Sequence, residues 1–145
     1  MKKVMKIVGV IILVIAAAVA ALVIKGQIEA KKPSVKEDYY TEFSSSARLE
    51  QKYSQLGEYE VSSFDDPSEN AAIKKVRFWY PSELEISDKK YPVIVVVNAS
   101  GTPASKYEPW FKRLASWGFV VIGNEDPQAG TGETTSIMLD YILNL

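Results

Sequence analysis

Asn98-Ala99-Ser100-Gly101-Thr102 follows an unbroken apolar run, Val93 to Val97, and is the one stretch whose residue types and position suit chemistry. A strand end followed by small residues and a glycine lets the backbone come close to a ligand, because little side-chain bulk stands in the way. The same residues also suit an ordinary strand-to-helix turn with Ser or Thr as helix cap. Glu125 and Asp126 leave a second apolar run, Phe119 to Ile122, on the side where open α/β sheets bind ligands. Two absences limit what these groups can do: the 145 residues contain no histidine and no cysteine. Without imidazole these residues cannot assemble a Ser-His-Asp triad. Without thiols there is no disulfide, thiolate metal site, cysteine nucleophile or acylated lipoprotein cysteine. A carboxylate with no histidine to orient has no catalytic assignment, so no catalytic residue, metal ligand or cofactor is named.

Several patterns imitate sites. Asn98-Ala99-Ser100 matches a glycosylation sequon but stands at a strand exit expected to be buried. Ser105-Lys106 are adjacent, so on a helix they point in different directions and do not form a serine–lysine dyad. Gly130-Thr131-Gly132 lacks the Gly-Lys-Ser/Thr that ends a phosphate-binding loop. The acids of Asp65-Asp66-Pro67-Ser68-Glu69-Asn70 lack the ordered spacing of a calcium loop, and the segment reads as a solvated turn.

The elements that must hold the loop follow from periodicity. Val93 to Val97 is β-branched throughout with no polar alternation, which reads as an interior strand covered on both faces. Lys106 to Trp117 places Tyr107, Trp110, Phe111, Leu114 and Trp117 at helical spacing, and Gly118 stands where a helix end favours positive φ. Phe119 to Ile122 completes a βαβ unit, with its strands parallel and its crossover right-handed. The fold class is therefore α/β. Earlier strands are expected at Tyr59–Phe64 and Ile73–Tyr80. The second alternates Val76, Phe78 and Tyr80 with Lys75, Arg77 and Trp79, as an outer strand with one solvated face would. Ala47 to Leu56 reads as a helix stopped by Gly57, packing Leu49, Tyr53 and Leu56 beside the first strand. Glu133 to Leu145 reads as another, with Ile137, Met138, Tyr141, Ile142 and Leu145 on one stripe.

Apolar strand, Asn-Ala-Ser-Gly-Thr loop and a helix running into Leu114-Ala115-Ser116-Trp117-Gly118-Phe119-Val120-Val121-Ile122 resemble the third strand, oxyanion loop, first helix and fourth strand of an α/β-hydrolase. The resemblance covers Tyr59 to Leu145 and is closest to the small-ester and polyester hydrolases. It implies that the loop supplies a backbone N–H which, with another from the residue after the nucleophile, binds the oxyanion of a tetrahedral intermediate. Ala99, Ser100 and Gly101 are the candidates for that donor, while Thr102, Glu125 and Asp126 would line the cleft. A small ester is the implied substrate of the full-length family. The Gly-x-Ser-x-Gly elbow that carries its nucleophile occurs nowhere in the sequence. The expectation is an incomplete hydrolase-like sheet of about four strands, cut before the nucleophile, inactive as it stands and marginally stable. In hydrolase topology the third strand lies between the fourth and the fifth, so Val93 to Val97 would become an exposed apolar edge, open to aggregation or to completion by another chain or copy. The alternative is a non-catalytic, membrane-tethered α/β module that binds a partner or ligand.

Ahead of this domain, Ile7 to Ile24 carries no charge and would reach about 27 Å as a helix, close to a bilayer core. Lys2, Lys3 and Lys6 resemble a signal n-region and Ala18-Val19-Ala20 a cleavage site, but Leu22, Val23 and Ile24 continue past it, which favours a retained anchor. The short basic tail suggests an inside N-terminus and the remainder outside, although Lys25, Lys31, Lys32 and Lys36 weigh the other way. The organisation read from these patterns is a membrane anchor over 1–25, a tether and short helix over 26–57 and the α/β domain over 58–145. A net charge of −1 provides no basic surface for nucleic acid.

Overall fold

The computed structural model describes residues 2–144. The chain divides into two compact units, one ending at Lys32 and one beginning at Pro33. The first unit is a single helix, α1 (Lys2–Lys31). Its stretch Lys6–Glu29, 24 residues, is long and apolar enough to cross a membrane. Ile7 to Ile24 expose their large apolar side chains and no polar face balances them, the pattern of a helix suited to lipid.

The second unit is built on a four-stranded mixed sheet of β1 (Val61–Pro67), β2 (Lys75–Pro81), β3 (Val93–Val95) and β4 (Val120–Asn124), in the order β1-β2-β4-β3. β2 runs antiparallel to both neighbours, and β3 is parallel to β4. Helix α3 (Glu108–Ser116) carries the chain from β3 to β4, and α4 (Glu133–Leu143) follows β4. Alternate residues of β4 serve two cores, as the two-residue period of a strand requires. Val120 and Ile122 join Val76, Phe78, Tyr80 and Met138 on the α4 side, while Val121 joins Trp79, Phe111 and Ala115 on the α3 side. Helices therefore cover both faces, and the fold is α/β.

Short-range chemistry explains how α3 begins and ends. A 3-10 turn over Ala104–Tyr107 leads in, Pro109 occupies the first turn where no N–H is needed, and Arg113 stands in the last turn. Gly118 adopts φ 89°, so the helix stops where the sequence places its stop.

Several boundaries and environments differ from the sequence reading. Val93 to Val97 is not an interior strand: β3 spans only Val93–Val95, with one further bond from the Val96 amide to the Ile122 carbonyl at 2.9 Å, it lies at the sheet edge, and Val93 and Val97 are 47% and 57% exposed. β2 is not an outer strand, since it lies between β1 and β4 and buries Trp79 completely under α3. β1 starts and ends later than expected, so Asp65, Asp66 and Pro67 are strand residues and the reversal falls on 68–74. There Ser68 donates to Lys74, and the Asn70 side chain accepts from Ala72 and Ile73. Helix α2 (Arg48–Ser54) is shorter than expected, and Leu49, Tyr53 and Leu56 are exposed rather than packed beside β1. In α4 Met138 is buried as expected, Ile137 is part exposed, and Leu145 lies outside the described residues.

The segment after Pro33 is also less free than its composition suggests. The Ser34 amide donates to the Lys106 carbonyl at 2.8 Å, and Lys112 pairs with Glu37 at 3.2 Å. Further on, Gln55 is fixed by the Trp117 indole, which donates to its carbonyl at 2.9 Å.

Candidate functional site

Parallel β3 and β4 end side by side, so the loops that leave them, 98–103 and 125–132, meet at one end of the sheet. The junction is made by Asn98, which is buried to 5% exposure. Its Nδ2 donates to the Asn124 carbonyl at 2.8 Å, the Asn124 Oδ1 at 3.0 Å and the Asp126 carbonyl at 2.8 Å. Its Oδ1 is buried and accepts no hydrogen bond among the described residues. Burial at this strand exit agrees with setting the glycosylation sequon aside.

The oxyanion-loop candidates are not equivalent. Ala99, Ser100 and Gly101 are all exposed. The Gly101 amide donates to the Pro127 carbonyl at 2.8 Å, and its φ of 74° is the left-handed conformation glycine tolerates. Ala99 is bridged to Thr102, whose amide donates to the Ala99 carbonyl at 2.9 Å. The Ser100 amide makes no hydrogen bond among the described residues. Of the three N–H groups only that of Gly101 is committed to an acceptor among the described residues, so those of Ala99 and Ser100 can turn to an incoming oxygen without breaking a bond.

The cleft candidates are drawn into the scaffold. Thr102 is half-buried, and its hydroxyl donates to the Ser100 carbonyl at 3.4 Å. Glu125 accepts from the Ser105 amide at 3.1 Å and the Ser105 hydroxyl at 2.8 Å, and lies 3.8 Å from the Arg77 guanidinium. Asp126 is buried and accepts from the Gln128 amide at 2.8 Å and the Thr134 hydroxyl at 2.7 Å. Both carboxylates thus have charge-assisted donors already in place and hold the start of the helices that follow each loop. Ser105, half of the dismissed dyad, is a cap for this end of the sheet and not a nucleophile paired with a base.

Arg77 extends the arrangement across the sheet. It donates to Asp65 at 2.6 Å, and Asp65 also receives Lys75. Burial alone would raise the Asp65 carboxyl, but hydrogen bonds from Lys75 and Arg77 outweigh it and hold the group below the usual carboxylate range. Arg77 lies 5.3 Å from the Trp79 ring centroid, so its charge rests on an aromatic surface. Arg77, Thr134 and the stapling role of Asn98 were not legible in sequence, because each depends on a contact spanning eight to dozens of residues. Among the described residues no group of three acids, histidines or cysteines could hold a metal.

Two cavities of this unit lie elsewhere, one of about 280 Å³ between Tyr40, Gly57, Pro109 and Lys112, and one of about 350 Å³ over Phe64, Phe78 and Ile142. No loop residue lines either. Compared with known proteins, the chain matches no family model and no curated protein.

Proposed function

We propose that this chain is a membrane-anchored protein of α/β-hydrolase type, of the carboxylic ester hydrolase class by resemblance, in which residues 58–145 form the opening half of the scaffold. The observation that carries the reading is the sheet order β1-β2-β4-β3 with β2 antiparallel and β3 parallel to β4 across α3. That is the arrangement in which a hydrolase sheet starts, and it puts the Asn98–Thr102 loop at the strand ends where such a sheet binds its ligand. Fold analogy alone assigns a family and not an activity. Within it, the Ala99 and Ser100 amides are the oxyanion-donor candidates, since the Gly101 amide is committed to Pro127.

The nucleophile and its histidine would come from residues outside this sequence, which has no histidine and no Gly-x-Ser-x-Gly. Their strand would lie along the free edge of β3. By itself the chain does not turn over esters. The test is twofold. Purified chain given a chromogenic short-chain ester should release product no faster than buffer, and a serine-directed fluorophosphonate should leave it unlabelled; turnover above buffer would refute the inactivity. Reading the coding DNA beyond Leu145 in every frame should reveal an apolar strand, an elbow serine and a histidine, and their absence would count against the family assignment. Helix α1 serves as the anchor, so the intact amino terminus should be found in the membrane fraction by mass spectrometry.

A second reading, a non-catalytic tethered module, is favoured by one observation. The two carboxylates nearest the loop are already engaged by Ser105, Arg77, Gln128 and Thr134. A cooperatively folding chain followed by non-coding sequence would support it.

A further inference from the structure

Helix α2 is fixed to the end of α3 and turns an apolar side outward. The Tyr53 carbonyl accepts from the Arg113 guanidinium at 2.7 Å, and the Gln55 carbonyl accepts from the Trp117 indole at 2.9 Å. Polar side chains of α2 are used within the segment: Gln51 accepts from the Ser45 amide at 3.1 Å and Glu50 from the Ser45 hydroxyl at 2.5 Å. Leu49 and Tyr53, four apart and so on one side of the helix, are left exposed, and so are Leu56 and Phe43. Phe43 and Ser54 border one cleft of about 450 Å³, which places Phe43 beside the end of α2. The Tyr53 ring lies 5.0 Å from that of Trp117, and the Lys52 ammonium stands 5.3 Å from the Tyr53 ring centroid.

The length of the tether limits what can lie against this face. The apolar stretch that suits a membrane ends at Glu29, and the Ser34 amide is already bonded to the Lys106 carbonyl of the α/β unit. Residues 30–34 reach about 17 Å at full extension, so a bilayer crossed by that stretch cannot lie farther than this from Ser34. From Ser34 the chain follows α3, pairing Glu37 with Lys112 before α2 reaches Arg113 and Trp117. The attachment point and the apolar face therefore share the α3 side of the sheet. Four apolar side chains fall short of the roughly 1,000 Å² that a stable interface between copies buries. A surface held within reach by a tether needs less, because the second contact is intramolecular.

We infer that Leu49, Tyr53, Leu56 and Phe43 form a docking face for the phospholipid bilayer that α1 crosses, so that the α/β unit lies on the membrane with its α3 side down. The inference rests on reading α1 as the anchor and is independent of the hydrolase reading. The residue types suit the boundary between headgroups and acyl chains: leucine and phenylalanine enter the apolar side, while the rings of Tyr53 and Trp117 present an apolar body and a polar tip. Arg48 and Lys52 can lay their stems on the apolar surface and keep their charges among the headgroups. Glu42 and Glu50 balance those two charges, so the docking uses apolar area and a zwitterionic lipid suffices.

The sequence has no cysteine, so a single introduced one takes a nitroxide label without competition. The experiment places the full chain in phosphatidylcholine nanodiscs, one chain per disc, and measures collisions of the label with oxygen, which concentrates in lipid, and with a water-soluble nickel chelate. Labels go on Leu49→Cys, on Val14→Cys within α1, and on Leu139→Cys, which is exposed on α4 across the sheet. Phe43→Cys is a second reporter of the face if Leu49→Cys perturbs the fold. The label at position 49 should meet the chelate several-fold less often than that at 139, and its depth should be about 5–10 Å into the interface. Tyr53→Ser with Leu56→Ser should return it to water. A label at 14 in lipid with those at 49 and 43 in water would overturn the docking alone, whereas a label at 14 in water would overturn the anchor and the docking together. Protection that appears only in discs holding two or more chains would assign the face to a second copy and overturn the proposal.

Discussion

The carboxamide of Asn98 and the main chain of Asp126 are joined by a 2.8 Å hydrogen bond that ties the exit of β3 to the exit of β4. The same amide group reaches the Asn124 carbonyl at 2.8 Å, so one side-chain nitrogen satisfies two main-chain acceptors at the end of the sheet. Asn98→Ala should cost about 2–4 kcal/mol, because it leaves buried carbonyls without a donor. Asn98→Asp should cost more, since it places an acceptor against acceptors. Denaturant unfolding followed by tryptophan fluorescence measures both, and a loss within error of zero for either would show that the staple is dispensable.

Gly57 meets the end of α3 at backbone distance. A Cβ there would fall 2.0 Å from the Ser116 carbonyl oxygen, and the Gly57 amide already donates to the Ser116 hydroxyl at 2.8 Å. Gly57→Ala should therefore destabilise by about 2 kcal/mol or more, as overpacking against rigid backbone does. A melting temperature equal to that of the parent chain would mean that this segment can move aside.

The unprotected edge of the sheet is β3. β1, at the other edge, carries Asp65, Asp66 and Pro67, residues that discourage strand addition, whereas β3 offers Val93 and exposed Val97 nearby. Concentration-dependent association is expected, and Val97→Lys should slow it while changing stability by no more than about 0.5 kcal/mol. Light scattering against protein concentration gives the readout, and equal aggregation rates would exclude this edge as the cause.

Acid should weaken the β1–β2 pairing. The Asp65 carboxyl is depressed in the folded chain by Lys75 and Arg77 against the effect of burial, so its contribution is present above the ordinary carboxylate range and is lost as pH falls through the folded value. The side chain is 37% exposed, which limits the effect to about 1 kcal/mol or less. Asp65→Asn should flatten the stability profile between about pH 5 and pH 2 by that amount. A profile with unchanged slope would assign the acid sensitivity to other carboxylates.

A different titration tests the α4 side of the sheet. Burial, followed by the hydrogen bond to Glu85, pushes the Tyr80 phenol up to about 12. The neutral form is the one favoured in the folded chain, so its stabilising contribution is fully present below the ordinary tyrosine value and disappears as pH rises through the folded one. Tyr39, Tyr91 and Tyr141 are raised as well, so ultraviolet absorbance should show several late-ionising phenols, of which Tyr80→Phe removes one; an unchanged high-pH absorbance step would refute the assignment.

What could be read in the sequence was what depends on neighbours in the chain. Gly118 marks the end of α3 and takes the positive φ its position demands. The βαβ unit followed from Val93, Phe111 and Val121 and their neighbours, each in the type of element expected. The strand environments did not follow. An unbroken β-branched run has the same composition whether it is covered or left at an edge; periodicity alone reads Val93 to Val97 as interior, and the exposed edge that the structure has was expected only from the missing fifth strand. In β2 the alternation of Lys75 and Arg77 with apolar residues suggested a solvated face, yet the Arg77 side chain is 17% exposed, paired with Asp65 and resting beside Trp79. Asp65 and Asp66 read as turn formers because nothing local reveals that Lys75, Arg77 and Tyr141 hold them in a strand. At the candidate site the loop was visible, but the choice of Ser100 over Gly101 rested on the acceptor at Pro127, far along the chain.

That last contact has a bearing on how the molecule could change over generations. Because the Gly101 amide is bound to Pro127 and Asn98 to Asp126, the shape around Ser100 is borrowed from a turn that supplies none of its backbone donors. Lengthening or shortening that distant turn would rewrite the Ser100 environment without touching it, and the two segments are expected to accept variation only in concert.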